Sequence, residues 1–170
     1  DKLITERIPL HPIPIVGEPF SELVCDVIGK LPKTSGGHEY IFTIVCNSTR
    51  WISAVPLRNL KVTTIAETIM NFQLSHGFAK KLRFDKFSSL TSGMMKELQK
   101  TLGIECSYAP VLHHETIGVV ERAQRTLERM IKSFVETHEK QWDKLIPYFC
   151  FAMNDTANST THFAPSYLVF

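Results

Sequence analysis

Leu23-Val-Cys-Asp-Val-Ile28 is a run of β-branched and apolar residues with one acid in its middle, closed by Gly29. Such a short run reads as a strand covered on both faces, the kind found inside a layered sheet. An ionised carboxylate taken out of water there costs several kcal/mol unless it is paired or bound to a cation. Asp26 therefore calls for a compensating partner, and the search for one organises the rest of the chain.

Outward from this strand, the apolar pattern changes period in a definite order. Phe20–Ile28, Tyr40–Cys46 and Trp51–Pro56 are β-branched and aromatic runs, the first two separated by the turn-rich Gly29-Lys-Leu-Pro-Lys-Thr-Ser-Gly-Gly37. They predict an antiparallel meander of three strands. Val62–His76 places Ile65, Ile69 and Phe72 on one helical face, with Thr63 or Thr64 as N-cap and Gly77 as the stop. Lys81–Phe84 reads as a short strand, Ser92–Leu102 as a helix stopped by Gly103, and Ile104–Tyr108 as another strand. Gly118–His138 repeats Val120, Ala123, Leu127, Met130 or Ile131 and Phe134 at helical spacing. Trp142–Asn154 also reads as helix, with Pro147 starting or kinking it. The order predicts an α/β layered domain built on a mixed five-stranded sheet.

The chain's 170 residues, 44% hydrophobic and 21% charged, suffice for one domain with a sizeable core. Nineteen basic against 17 acidic residues leave a formal charge of +2, so a nucleic-acid partner must be met by local patches. No apolar run approaches the roughly 20 residues that span a bilayer, which excludes a membrane-spanning helix. Cys25, Cys46, Cys106 and Cys150 are far apart and lack metal-site spacing, so they are expected as buried thiols. Residues 1–18 are rich in proline and predict an extended lead-in, with the domain proper at 19–170. This start, and an end at Tyr167-Leu-Val-Phe170 without a helix stop, suggest a domain within a longer polypeptide.

Two more acids share the anomaly of Asp26. Asp85 ends the apolar strand Leu82-Arg-Phe84, and Glu121 follows Val119-Val120 near the expected start of the long helix. Taken singly, each has an ordinary reading: a strand acid paired with arginine, a turn residue, or a first-turn glutamate suited to the helix dipole. Taken together, they are carboxylate oxygens of the kind Mg²⁺ prefers, and two such ions activate a water or hydroxyl while stabilising a phosphodiester's leaving oxygen.

Asp26, Asp85 and Glu121, with 35 residues between the last two, resemble the acidic triad of the retroviral and retrotransposon integrase cores. The likeness runs from Pro19 to Phe170 and is strongest towards gypsy-type long-terminal-repeat elements. It is carried also by Pro19-Phe-Ser-Glu-Leu-Val-Cys-Asp26 with Gly29-Lys-Leu-Pro32, by Tyr40-Ile-Phe-Thr-Ile-Val45 and by Thr49-Arg-Trp51. Further matches are His113, Gly118-Val-Val-Glu-Arg122, Arg125-Thr-Leu127, Trp142, Asn154 and Thr160, then Pro165-Ser-Tyr-Leu-Val-Phe170. The resemblance implies an RNase H-like fold. It also implies a metal-dependent polynucleotidyl transferase that trims the 3′ ends of element DNA and joins them to target DNA. Asp26, Asp85 and Glu121 would be the catalytic acids and the ligands of two Mg²⁺ or Mn²⁺ ions. The implied partners are element-end and target DNA, and a second copy of the core as a homodimer. In the full protein, an N-terminal zinc domain and a C-terminal DNA-binding domain are expected to flank it. The implied site of action is the nucleus, with the cytoplasm before entry.

The chain departs from the family pattern in three places. Phe87 stands two residues after the second acid, where the family has a glycine; Glu115 replaces a neutral amide before the third acid; Cys46 stands where an aspartate is common. These departures admit an impaired core retained as a DNA- or protein-binding scaffold, while the intact triad favours an enzyme; a nuclease that cuts without joining is a further alternative. Arg122, Arg125, Arg129 and Lys132 recur at helical spacing and read either as a stripe for DNA phosphates or as a solvated face paired with Glu128 and Glu136. Lys80, Lys81, Arg83 and Lys86 bracket the second acid, and Lys86 and His113 join Arg122, Arg125 and Arg129 as candidate DNA contacts. The methionines at 94, 95, 130 and 153 are read as packing.

Overall fold

The computed structural model describes residues 17–84, 91–108 and 114–170, of which 92, 108, 114–121, 124 and 136 are described by backbone alone. The lead-in up to residue 16 and the predicted Asp85, Lys86, Phe87 and His113 lie outside the described residues.

Strands β1 (Glu22–Ile28), β2 (Tyr40–Cys46) and β3 (Ile52–Leu57) form the expected antiparallel meander. They are followed by α1 (Val62–His76), β4 (Lys81–Phe84), α2 (Ser92–Leu102), β5 (Glu105–Tyr108), α3 (His114–His138), α4 (Trp142–Asp155) and α5 (Pro165–Val169). The sheet has five strands in the order β3-β2-β1-β4-β5, with β4 and β5 parallel to β1. This is the mixed five-stranded sheet and RNase H-like element order that the resemblance implies. β1 is the central strand, so Leu23–Ile28 does lie inside the sheet.

Period-two alternation divides the core between the two faces. Leu23, Cys25, Phe42, Ile44, Leu82 and Phe84 meet Ile65, Ile69 and Phe72 of α1 and Met95 and Leu98 of α2. On the opposite face Ile28, Ile41, Val45 and Ile52 meet Leu127 and Ile131 of α3 and Trp142, Ile146 and Phe149 of α4. β2 is buried along nearly its whole length because both layers cover it. Among the described residues no helix is long and apolar enough to cross a membrane. All four cysteines are free thiols; Cys25 and Cys46 are buried and the other two half-buried.

Local chemistry moves some element ends. Phe20 takes φ +62° and belongs to the turn before β1 rather than to the strand. The N-cap of α1 is Lys61 rather than Thr63 or Thr64. No side chain caps the helix; Asn59 Oδ1 braces the chain entering it, accepting from Lys61 N at 3.0 Å and from Thr64 Oγ1 at 2.9 Å. By contrast Thr91 caps α2, its side chain accepting from Met94 N, and Gly103 ends it in the left-handed conformation that glycine adopts freely. α3 starts at His114, four residues before the expected Gly118, so glycine is carried inside the helix at a cost of about 1 kcal/mol. Pro147 lies inside α4 rather than at its start.

Two long-range devices hold the α3–α4 layer to the sheet. The connection between β1 and β2 is pinned to the start of α4. Trp142 Nε1 donates to Pro32 O at 2.8 Å, and Asp143 Oδ2 accepts from Thr34 Oγ1 at 2.9 Å and lies 2.7 Å from His38 Nδ1. At the far end of α4, buried Asn154 pairs with the edge strand β3. Its Oδ1 accepts from Ile52 N and its Nδ2 donates to Ile52 O, both at 2.8 Å.

Candidate active site

On the second core face, apolar residues of β1 and β2 flank one polar cross-strand pair, and the ion pair of Arg83 with Glu22 lies further along the same face. Val24 and Ile28 of β1 pack into it, and the residue between them on that face is Asp26. In the antiparallel register Asp26 faces Thr43, which is itself flanked on its face by Ile41 and Val45. Asp26 is half-buried and Thr43 fully buried. Asp26 Oδ1 accepts from Val27 N at 2.7 Å, and Thr43 Oγ1 donates to the Asp26 carbonyl at 3.2 Å. The central strand thus aims its carboxylate into the α3-covered side of the sheet.

Parallel pairing brings the end of β4 to the same place. Phe84, the last residue of β4, pairs with Cys25, the residue before Asp26. Asp85 follows Phe84 in the sequence and lies outside the described residues. Glu121 is on α3, which packs on the Asp26 face of the sheet through Leu127 and Ile131. The early start of α3 makes Glu121 the eighth helical residue rather than a first-turn one. At 1.5 Å rise it lies about 9 Å along the axis before Leu127, and it is described by backbone alone. Among the described residues no group of three or more His, Cys, Asp or Glu side chains is placed to hold a metal ion. The donor set of three carboxylates fits a hard cation such as Mg²⁺ or Mn²⁺.

The candidate phosphate contacts divide. Lys80 is 2.8 Å from Glu18 and Lys81 is 3.7 Å from Glu105, while Arg83 is paired with Glu22. Each of these basic residues before the second acid thus has a carboxylate neighbour. Arg122, Arg125 and Arg129 line a cleft between α3, α4 and the α4–α5 connection. They share it with Arg50, which the sequence offered only as part of a motif. The one available signal was a basic residue between Thr49 and Trp51, at the turn that ends β2. Lys132 is exposed and does not line the cleft.

Cys46, where an aspartate was expected by resemblance, is a structural thiol. Its Sγ accepts from Phe20 N at 3.2 Å and lies 3.3 Å from Ser48 Oγ. Burial alone would raise its pKa, but the hydrogen bonds from Ser48, Thr49 and Phe20 bring it below the ordinary thiol value.

No protein-family model matches the chain. Over 152 residues, 89% of this chain, it is 35% identical to the retrovirus-related Pol polyprotein from transposon 412 of Drosophila melanogaster, and covers 12% of that polyprotein. It is 23% identical over 165 residues, 95% of this chain, to gypsy retrotransposon integrase-like protein 1 of Rattus norvegicus, and covers 31% of it. The chain therefore spans a minor part of the curated relatives it matches. Among solved structures, the catalytic core domain of BIV integrase superposes with a TM-score of 0.67 at 17% identity, over 88% of this chain and 93% of that one.

Proposed function

We propose that this chain, a homologue of retrotransposon and retroviral Pol polyproteins and of gypsy integrase-like proteins with the fold of an integrase catalytic core, is a metal-dependent DNA-processing and DNA-joining domain. The observation that carries the reading is the placement of Asp26. It stands on the central strand, beside the end of β4, on the face that α3 covers. Asp26, Asp85 and Glu121 would hold the divalent metal. When bound, such ions activate a water or a 3′-hydroxyl and stabilise the leaving oxygen of a phosphodiester.

The chain's own residues do the rest. The sheet fixes Asp26 through the Val27 N–H and the Thr43 contact to its carbonyl, so its carboxylate keeps one orientation. α3 carries Glu121 and, immediately after it, the arginines that would position DNA phosphates. Lys86 and His113 are proposed as further contacts, and a second copy of the core as partner in the complete assembly. The test is a strand-transfer assay with Mg²⁺ or Mn²⁺ and duplex DNA ends of the parent element, run beside Asp26→Asn and Glu121→Gln. Activity in the wild type that falls by on the order of 100-fold or more in each variant is expected for lost metal ligands. A wild type that binds DNA yet matches both variants in inactivity would favour the scaffold reading instead.

A further inference from the structure

Arg50 sits in the turn between β2 and β3 with φ +66°, a conformation that a residue with a side chain rarely takes. The turn is held by Arg50 N donating to Cys46 O at 3.0 Å, and Nη1 donates to Asn47 Oδ1 at 3.1 Å. Its Nε is buried and has no hydrogen-bond partner among the described residues. A buried guanidinium N–H without an acceptor is costly. The side chain lines the cleft of about 620 Å³ to which α3 contributes Arg122, Arg125 and Arg129, and the α4–α5 connection Ser159 and Thr160. Among the described residues that line it there is no carboxylate. Burial lowers the Arg50 pKa, the neighbouring thiol Cys46 opposes this, and the Arg122 charge lowers it further. Arg50 and Arg122 thus line one cleft together, in a chain whose formal charge is only +2.

We infer that this cleft is a DNA-backbone binding site in which Arg50, with Arg122 beside it, takes a phosphate. The inference rests on the DNA-processing reading above and extends it to a residue of the β2–β3 turn. Three features favour a nucleic-acid strand over an isolated anion or an acidic peptide. Arg122, Arg125 and Arg129 spread cationic positions along about 10 Å of helix axis, which suits a repeated anion. Guanidinium forks match phosphate oxygens bidentately, and Ser159 and Thr160 add hydroxyl donors. The stripe starts at the residue directly after Glu121, so a strand lying in the cleft leads to the acid proposed to act on it.

The test is the salt dependence of binding of a short fluorescent DNA duplex to this chain, by anisotropy. Arg50→Gln and Arg122→Gln are each expected to reduce the slope of log K against log salt by about 0.9. A fourfold rise in salt then costs each variant about 3.5-fold less affinity than it costs the wild type. Arg50→Lys, which keeps the charge, should retain the wild-type slope, as should Lys144→Gln on an exposed position outside the cleft. Arg122 is exposed, so its variant keeps the test valid if Arg50→Gln fails to fold. Wild-type slopes in both Gln variants, with DNA joining intact in the wild type, overturn the cleft inference alone. Polyglutamate binding that is lost in Arg50→Gln, while the DNA slope is unchanged, overturns it in favour of an acidic segment. A wild type that neither binds nor joins DNA overturns the functional reading and the cleft together.

Discussion

Asn154→Ala removes the clasp that closes α4 onto the sheet edge. Asn154 is 5% exposed and Ile52 is 1% exposed, and the two share a pair of 2.8 Å hydrogen bonds. Ile52 is at the start of the edge strand β3, so Asn154 supplies there what a further strand would supply. Truncation strands a buried N–H and a buried C=O, each costing about 1–3 kcal/mol. Partial entry of water into the space left behind makes about 3 kcal/mol the working figure. For a domain of this size that lowers Tm by about 6–12 °C and moves the urea midpoint down by about 1–3 M. Trp51 and Trp142 provide the fluorescence signal for the urea titration. Asn154→Asp should be no better than Ala, because it keeps an acceptor for the Ile52 N–H but sets an anionic oxygen against the Ile52 carbonyl. A loss below about 1 kcal/mol for Ala, or wild-type stability for Asp, would refute the reasoning.

Three other outcomes are expected. Trp142→Phe loses the bond to Pro32 O from a fully buried ring and should cost about 1–2 kcal/mol in the same titration, with wild-type stability the contrary result. Asp143 is opposed by burial, but hydrogen bonds from His38 and Thr34 hold its pKa below the ordinary carboxylate value. Its contribution to stability is thus present above the unfolded-state pKa of about 3.9 and disappears as pH falls through the lower folded value. Asp143→Asn should flatten that acid limb of Tm against pH, and an unchanged limb would count against the cluster. Burial raises the pKa of Cys25, and pushes Cys106 and Cys150 to about 11. Ellman's reagent at neutral pH should therefore meet Cys25, which is buried, only after unfolding, while Cys46, whose pKa is lowered, is shielded by burial alone; rapid native-state reaction of Cys25 would contradict this packing.

The fold was legible where local pattern and local chemistry agree. β2, α1, β4 and α2 lie at their expected bounds because period-two or helical spacing ends there at a turn or a glycine such as Gly77 or Gly103. The start of α3 was not legible, since Gly118 is a helix breaker by propensity and yet lies within the helix. Nor were the contacts that fasten the layers. Asn154 to Ile52, Asp143 to His38 and Thr34, and Trp142 to Pro32 each join residues more than 100 positions apart, which no periodicity displays. Asp26 was visible as a candidate site residue because a charge in an apolar strand is anomalous by itself. Arg50 was not, because an arginine in a turn is unremarkable until its burial and its neighbours in the cleft are known. The ion pairs of Lys80, Lys81 and Arg83 were not legible either, because their carboxylates come from other segments, in the turn before β1, β1 itself and β5.

The central claim is that Asp26, Asp85 and Glu121 form one divalent-cation site at the end of β1 and β4 under α3. Titration of Mn²⁺ into this chain, followed by loss of the free-ion electron paramagnetic resonance signal, tests it most directly. The account predicts saturable binding that is weakened on the order of 10-fold or more in each of Asp26→Asn, Asp85→Asn and Glu121→Gln. It also predicts that Glu105→Gln, on an acid already paired with Lys81, leaves binding unchanged. Saturable binding of equal strength in the wild type and all three triad variants would contradict it.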